Sequence, residues 1–520
     1  MGRSLHALFP TLNSTPTHEA ELEACEQRLA IAPADAAAHL QAGMANYALG
    51  RWSRGVAHLR VAVAAQPDFA AAWSNLAFGL RSTGRIAEAR AAAERALALD
   101  PRLAEAWNLL GLAVHDGGQP AEAKRHFARA LELNASFAQA QMNFANADQA
   151  LGHIDAAAEG YEKALALDPR LPEIHYNLAH LHHKATGRMD AAIERYREAI
   201  GLRPDYAAAH HNLAHALFLV GRFEEAWREY RWRPPRLTYV AHTTHAGKPY
   251  DLPAVEKISG THLVVVGEQG LGDVLFFLRF AHILRERGAR LDFAGEPRLH
   301  PLLARTGIFD RLARSPEEIR ADDTREVLAG DLALLAGPGE IPPPITLTPE
   351  PARVESIRKR LAALGPAPYV AIAWRAGEPK VGLNESLIKE IPIEALGAAL
   401  RGARATWISI QREPRADERE ALARRVEAEV HDLSVANHDL EEALALMAAL
   451  DDYVGVSSTN VHLRAGAGAH VLVPFPYEWR WMARGASPWF PAMRVYRQEP
   501  GGSWEAALRD LAGDLKARSP

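Results

Sequence analysis

The residues best placed to do chemistry lie in a glycine-rich loop that ends in an acid, EQGLGD at 268–273. The β-branched run HLVVVG precedes this loop and an amphipathic stretch from about Val274 to Arg287 comes after it, so the pattern predicts a strand, a turn and a helix. Such a loop directs backbone N–H groups and a helix N-terminus toward a strand end, where a phosphate or a developing anion is stabilised. Asp273 lies at the start of the helix, where N-capping is an alternative role for its carboxylate.

The same loop argues against one common function. Its glycine spacing differs from the dinucleotide-binding fingerprint, and no acidic residue is evident at the end of a second strand. A dehydrogenase is therefore disfavoured.

The first 233 residues contain a repeat of 34 residues. Pro67 and Pro101 lie one period apart, Pro169 follows at twice that step and Pro204 comes one residue late. Turn glycines and small helix-packing alanines keep the same step: Gly84, Gly118, Gly152, Gly187 and Gly221, with Ala89, Ala123, Ala157, Ala192 and Ala226. The pattern resembles the tetratricopeptide repeat, with about six units and an N-terminal partial repeat over 1–233. The resemblance implies an all-α superhelix whose concave face holds a protein or peptide, and a spacer or dimerisation element is the alternative.

One position in the first helix of each repeat favours peptide binding. Five of the six repeats carry an amide there, Gln41, Asn75, Asn143, Asn177 and Asn212, whereas Leu109 interrupts the series. An amide can both donate to and accept from an extended peptide backbone. The series is similar to the asparagine ladder of the protein O-GlcNAc transferases, which implies that these residues bind an acceptor peptide. Local capping or bonds between repeats are the alternative.

Beyond residue 233 the helical period is lost, which predicts a linker over 234–257. Short apolar strands then alternate with helical segments, at 262–267, 290–295, 369–374, 405–411, 452–457 and 469–475. This alternation predicts an α/β region of two doubly wound, Rossmann-like domains, 258–345 and 346–520, that face each other across a cleft. The proline-rich stretch 338–352 is the expected hinge.

Two motifs in this region resemble the heptosyltransferase-type glycosyltransferases, which have the GT-B fold. The loop EQGLGD is similar to their first motif, and SSTNVHLRAGAGAHVLVPF is similar to their later Asp-Thr-Gly-x-x-His-Leu-Ala pattern. The segment PYEWRWMARGASPWFPAMRVYRQ is similar to bacterial proteins that fuse such a domain to tetratricopeptide repeats, including the flagellin glycosyltransferases.

The resemblance implies a role for individual residues. Asp273 matches the aspartate assigned as general base, Thr459 and His462 match phosphate-binding residues, and Arg375 and Lys380 match a basic loop that balances the charge of the leaving phosphate without a metal. The remaining donor-binding candidates are Gly270, Gly272, Gln411, Ser457, Ser458 and Asn460. The sequence departs from the family pattern at the last two, which stand where an acidic residue and a glycine are usual.

The function implied is that of an inverting, metal-independent protein O-glycosyltransferase. It would move a sugar from a nucleotide-sugar donor to a Ser or Thr of a protein held by the repeats, with flagellin as one candidate acceptor. Two alternatives stay open. One is a non-catalytic scaffold with a degenerate glycosyltransferase domain, and the other is a transferase that acts on a glycan or a lipid-linked acceptor.

Composition limits the partners and the compartment. A net charge of −5 over 520 residues gives no general attraction to nucleic acid, and no stretch approaches the ~20 apolar residues that span a bilayer. The single cysteine, Cys25, excludes an internal disulfide framework and a thiolate-rich metal site. No third ligand at a fixed spacing joins His211 and His215, so no metal is predicted. We expect a cytoplasmic protein that needs no cofactor beyond its nucleotide-sugar substrate.

Overall fold

The computed structural model describes residues 15–245, 250, 252–376, 389–415 and 417–517. The chain divides into two compact units. The first comprises the described residues up to His182 together with Glu194–Asp205, and the second comprises His183–Ile193 and the described residues from Tyr206 onward.

The repeat region consists of α-helices joined by tight turns. Its helices are α1 (Thr15–Ile31), α2 (Ala36–Ala48), α3 (Trp52–Ala65), α4 (Ala70–Ser82), α5 (Ile86–Leu99), α6 (Ala104–Asp116), α7 (Pro120–Leu133), α8 (Ala138–Ala150), α9 (Ile154–Leu167), α10 (Pro172–Leu181), α11 (Met189–Leu202), α12 (Ala207–Leu219) and α13 (Phe223–Tyr230). A single π-helical turn, His182–Thr186, follows α10. The predicted turn glycines have φ between 67° and 81°, a backbone conformation that favours glycine. The predicted packing alanines are buried. The repeat pattern deduced from the sequence is thus confirmed.

The segment predicted as a linker is partly helical. Helix α14 (Pro234–His245) occupies its first half, and Arg236 Nε donates to Asp331 at 2.9 Å. Tyr250, downstream of the helix, also donates to Asp331, at 2.7 Å. The helical structure thus continues over Pro234–His245, where the sequence loses the periodicity of the repeats. The two prolines at the start of α14 suit a first helical turn, because backbone N–H groups in that turn have no acceptor within the helix and proline lacks an N–H. They therefore begin this helix and do not interrupt it.

The first sheet is parallel and has the order β3-β2-β1-β4. Its strands are β1 (His262–Val266), β2 (Arg290–Ala294), β3 (Leu312–Ala313) and β4 (Thr324–Leu328), and its helices are α15 (Leu271–Phe277), α16 (Ala281–Glu286), α17 (His300–Ala304) and α18 (Leu332–Ala336). The amphipathic stretch predicted as one helix is interrupted by a 3-10 turn at Leu278–Phe280. The interruption contains Arg279, whose buried guanidinium donates to the carbonyl of Phe276 at 3.0 Å.

The second sheet is also parallel, with the order β12-β11-β10-β5-β8-β9. Its strands are β5 (Tyr369–Ala373), β8 (Thr406–Ser409), β9 (Val430–Asp432), β10 (Asp452–Val456), β11 (His470–Val473) and β12 (Arg494–Arg497), and a small antiparallel pair is formed by β6 (Arg375–Ala376) and β7 (Lys389–Glu390). The helices are α19 (Pro351–Leu364), α20 (Ile393–Leu400), α21 (Glu418–Val426), α22 (Leu440–Ala449), α23 (Thr459–Leu463) and α24 (Glu505–Ala517).

Both sheets reverse their strand order at one point. In each sheet, the first strand along the chain pairs with the second strand of that sheet on one side and with the fourth on the other. The switch points therefore lie between β1 and β4 and between β5 and β10. Ligands of open α/β sheets bind in the crevice beyond such a point, at the carboxyl ends of the strands. The predicted fold class, a helical repeat array followed by two parallel α/β sheets, is confirmed and is consistent with a GT-B-like two-domain region. Among the described helices, none is both long and apolar enough to cross a bilayer.

The last helix pair of the repeats packs within the second unit. Phe218 of α12 stacks on Trp479 with 4.3 Å between the ring centroids. Trp227 of α13 is fully buried, edge-on to Phe280 and Trp489. The second unit therefore takes in residues upstream of position 233, where the sequence analysis places the end of the repeats.

This packing predicts how fragments of the repeats behave. A fragment ending at Arg233 should bind the dye ANS and associate, because it exposes the apolar surface of Phe218 and Trp227. A fragment ending at Asp205 should stay monomeric and bind less dye, since it lacks both side chains. ANS fluorescence and light scattering measure the difference. Equal dye binding by the two fragments would contradict the assignment of the last helix pair.

Candidate functional site

Asp273 lies at the switch point of the first sheet, in the first turn of α15. Its Oδ2 accepts a hydrogen bond from the backbone N–H of Gly270 at 3.1 Å. Gly270 is the N-cap of α15 and Asp273 is the third helical residue, so the carboxylate makes the capping-box contact of that position and is not itself the N-cap. Its Oδ1 accepts from the guanidinium of Arg480, which belongs to the second half of the α/β region. The side chain remains 28% exposed, so a substrate group can still reach the carboxylate.

Arg480 begins a chain of alternating charges on the second half. Its guanidinium also pairs with Glu478, and Glu478 in turn pairs with Lys389, whose ammonium donates to the carbonyl of Ser457 at 3.2 Å. Burial alone would raise the pKa of Glu478, but the charges of Lys389 and Arg480 hold it well below its usual range. The carboxylates of Asp273 and Glu478 likewise raise the pKa of Arg480 despite its burial. This series of paired charges connects Asp273, at the switch point of the first sheet, with Ser457, at the switch point of the second.

His462 of α23 packs against the glycine loop. A side chain at Gly272 would place its Cβ 2.9 Å from Cδ2 of His462 and 3.7 Å from Cα of Thr459, so only glycine allows this approach. The imidazole also packs edge-on to Phe276 and Phe490. Burial, and after it the charge of Arg480, holds the pKa of His462 well below its ordinary value, so the ring is neutral at pH 7. The structure thus brings the two sequence motifs together.

Two predicted donor-binding residues are occupied by internal contacts. The guanidinium of Arg375 pairs with Glu418, with 2.5 Å between Nη1 and Oε1. The Gln411 side chain accepts from the backbone N–H groups of Trp374 and Arg375 and donates to the carbonyls of Arg375 and Arg412. These residues shape the loop after β5. The third candidate of this loop, Lys380, lies outside the described residues.

The loop after β10 carries the other candidates. Ser457 is buried, while Ser458, Thr459 and Asn460 are half-buried at the start of α23. Asn460 donates to Asn437 at 3.1 Å, and Ser458 Oγ lies 3.5 Å from the hydroxyl of Tyr453. Helix α23 has only five residues, so its dipole is short and the expected contribution of its N-terminus to phosphate binding is small.

The predicted acceptor-binding asparagines bond largely within the protein. Asn143 donates to Asn108 at 2.9 Å, and Asn177 donates to Asn146 at 3.0 Å, in each case between neighbouring repeats. Asn75 donates to the carbonyl of Ala71 at 2.9 Å. Asn212 is half-buried in α12. The first three contacts match the alternative role, local or inter-repeat bonding, for these amides.

Glu268, the second acid of the glycine loop, is not available for chemistry. Both of its oxygens accept from the buried guanidinium of Arg233, and Oε1 also accepts from the N–H of Gly330 at 2.8 Å. Arg233 pairs in addition with Asp331, at 2.7 Å. This network fixes the end of the repeats to the loops that come after β1 and β4.

Three residues that contact the site directly were not predicted from the sequence: Lys389, Glu478 and Arg480. Glu478 and Arg480 stand in the segment PYEWRWMARGASPWF, whose density of aromatic residues beside charges is the signal for a buried polar site. In the described part of the chain, no three His, Cys, Asp or Glu side chains converge as a metal site would require. His211 and His215 lie together, with 4.4 Å between ring centroids.

Comparisons with known proteins identify the repeats. Family models for the tetratricopeptide repeat match residues 70–103 and 104–137, and a TPR repeat model matches residues 145–186 and 184–221. Protein FlbA of Caulobacter vibrioides is 27% identical over 332 residues, which cover 58% of this chain and 53% of FlbA. The chain therefore matches about half the length of this curated relative.

Solved structures similar to part of the chain are also TPR proteins. A thermophilic TPR protein of Thermus thermophilus is 26% identical, with a TM-score of 0.33, and the match covers 35% of this chain and 100% of that one. YrrB, described as a TPR protein with an unusual peptide-binding site, is 21% identical, with a TM-score of 0.28, and the match covers 37% of this chain and 98% of YrrB. The family models show tetratricopeptide repeats in the N-terminal half of the chain, and the strand order shows two parallel α/β sheets in its C-terminal half.

Proposed function

We propose that this protein is a glycosyltransferase that moves a sugar from a nucleotide-sugar donor to a Ser or Thr hydroxyl of a protein acceptor bound by the repeats. The observation that carries the proposal is the placement of Asp273. This carboxylate lies at the switch point of one sheet, is held by Arg480 from the other half, and comes directly after a glycine that packs on His462. Facing switch points are where α/β sheets bind nucleotides and their substrates.

The proposed reaction is a single displacement. The acceptor oxygen forms a bond to the anomeric carbon, the bond from that carbon to the donor phosphate breaks with its electron pair, and the hydroxyl proton goes to Asp273. Each carboxylate oxygen of Asp273 accepts one hydrogen bond and retains a further lone pair, so either oxygen has a free position for the single proton. Arg480 fixes the orientation of the carboxylate.

The leaving phosphate would be stabilised from the second half. Lys389 offers a cation beside Ser457, and the neutral His462 offers a ring N–H that donates without adding charge. Lys380 remains a proposed phosphate ligand, as do Thr459 and the backbone of Gly270 and Gly272. No step of the proposed reaction needs a metal.

The test uses the purified full-length chain with uridine, guanosine, cytidine and thymidine nucleotide sugars. Release of free nucleotide and a mass increase in a co-purifying protein are expected with one of these donors. Added EDTA should leave the rate unchanged, because protein side chains supply the positive charge. Loss of transfer with EDTA and its recovery with Mg²⁺ or Mn²⁺ would contradict the proposed phosphate chemistry, and absence of nucleotide release from every donor would contradict the activity itself.

A second candidate function is a non-catalytic scaffold that retained the fold. The internal pairing of Arg375 with Glu418 favours it, because this guanidinium must leave a buried carboxylate before it can bind a phosphate. A scaffold would bind its protein partner equally well with and without nucleotide sugars and would release no nucleotide.

A further inference from the structure

The glycine loop that leads to Asp273 is held by the last helix of the repeats. Tyr230, at the C-terminal end of α13, accepts a hydrogen bond from the side chain of Gln269 at 3.2 Å. Arg233, three residues later, binds the neighbouring Glu268 through a bidentate ion pair. Two consecutive loop residues are therefore anchored by one helix end.

Gln269 has a backbone conformation that needs such an anchor. Its φ is 65°, in the left-handed region that residues other than glycine seldom adopt. A conformation of this kind persists only where surrounding contacts determine it. The amide nitrogen of the Gln269 side chain is 3.2 Å from the hydroxyl of the buried Tyr230, which is the contact that meets this need.

The conformation of Gln269 controls the geometry of the next residues. The N–H of Gly270 donates to Asp273 Oδ2, and the carbonyl of Gly270 accepts from the N–H of Val274 at 3.0 Å. A change in φ at Gln269 rotates the peptide plane that it shares with Gly270 and so breaks the contact that orients the carboxylate.

We infer that Tyr230 is a positioning residue for Asp273, acting through Gln269 and Gly270. This role rests on the proposed function as far as turnover is concerned, whereas the conformation of the loop is measurable without it. The last repeat would then serve the catalytic loop directly as well as the acceptor.

The test measures amide hydrogen exchange and turnover in the full-length chain carrying Tyr230→Phe. Exchange at Gly270 and Val274 should rise about fivefold to tenfold, the range that one neutral hydrogen bond supports. Turnover should fall by a similar factor with the KM for the nucleotide sugar unchanged. Tyr369→Phe is the matched control, because the Tyr369 hydroxyl also makes one hydrogen bond, to the carbonyl of Gly365. Tyr369 is the first residue of β5, and the site lies beyond the carboxyl ends of the strands.

A second variant separates the hydrogen bond from the backbone conformation. Gln269→Gly removes the side-chain amide but accepts the positive φ at little cost. If the bond to Tyr230 holds the loop, this variant also exchanges faster at Gly270 and Val274. Unchanged exchange at Gly270 and Val274 in either variant, or slower exchange in either, would overturn the inference. Faster exchange in Tyr230→Phe than in the parent, together with no turnover of any donor by the parent, would support the positioning of the loop and would contradict the proposed activity alone.

Discussion

Replacing Asp273 by Asn is expected to lower single-turnover transfer by ~10²–10⁴, the contribution typical of a general base. Asparagine keeps the shape of the side chain and can still accept from the N–H of Gly270, but it cannot take the proton of the acceptor hydroxyl. The amide oxygen can accept from either Gly270 or Arg480, but the amide nitrogen cannot accept, so the other donor loses its hydrogen bond. We therefore expect a modest loss of stability together with the large loss of rate.

The matched control for this variant is Asp439→Asn. Asp439 is the N-cap of α22, accepts from the N–H of Glu441 at 2.9 Å and also pairs with an arginine, Arg353. Like Asp273 it therefore combines a helix-capping contact with an arginine pair, but away from the site. Its replacement should leave turnover at the parental level. Melting temperature, donor affinity and single-turnover rate are measured for both variants. Near-parental turnover in Asp273→Asn would leave Asp273 only its helix-capping contact with Gly270 and remove it from the mechanism.

Replacing Arg233 by Ala is expected to destabilise the second unit by about 3–5 kcal/mol, the cost typical of removing one partner from a buried ion pair. The guanidinium has no exposed surface and lies between Glu268 and Asp331, both of which are buried. Asp331 keeps Arg236 and Tyr250 as partners, whereas Glu268 keeps the N–H of Gly330, which carries no full charge. The uncompensated charge on Glu268 therefore accounts for most of the expected cost.

Arg228→Ala, in the preceding helix α13, provides the comparison. Arg228 pairs with Glu224 one turn away, and both side chains are about 60% exposed, so its loss should cost no more than about 0.5 kcal/mol. Urea unfolding followed by tryptophan fluorescence and far-UV circular dichroism gives both values. Similar midpoints for the two variants would show that the buried network contributes little.

The sequence predicts the repeats well because each unit is a local structure. A turn with a positive φ requires glycine and a close contact between helices requires alanine, and each requirement falls on one residue type at one position. Both positions recur every 34 residues, so the pattern is visible in the sequence. The long central strands, such as β1 and β10, are equally visible, since strands buried on both faces form continuous apolar runs. Strands β4 and β12, with the sequences TREVL and RVYR, were missed because they are polar and lie at sheet edges.

The site is less predictable than the fold for a physical reason. Motifs place Asp273 and His462 near the starts of two short helices, and the structure brings those helix starts together. The partner of a charged side chain, however, depends on residues far along the chain: Arg480 is 207 positions from Asp273, and Glu418 is 43 positions from Arg375. Sequence spacing carries no information about such pairs, so the pairing of Arg375 and the role of Arg480 could not be predicted.

The packing of the last helix pair with the α/β sheets bears on how such genes diversify. A recombination event upstream of His183 would exchange whole repeats and leave every contact of Phe218, Trp227 and Arg233 in place. A recombination event at the apparent boundary near 233 would replace the final repeat, and the new repeat would have to pack on the surface of the α/β region that now contacts Phe218 and Trp227. Descendants that acquire new recognition repeats should therefore inherit the final repeat together with the sheets, as one heritable block.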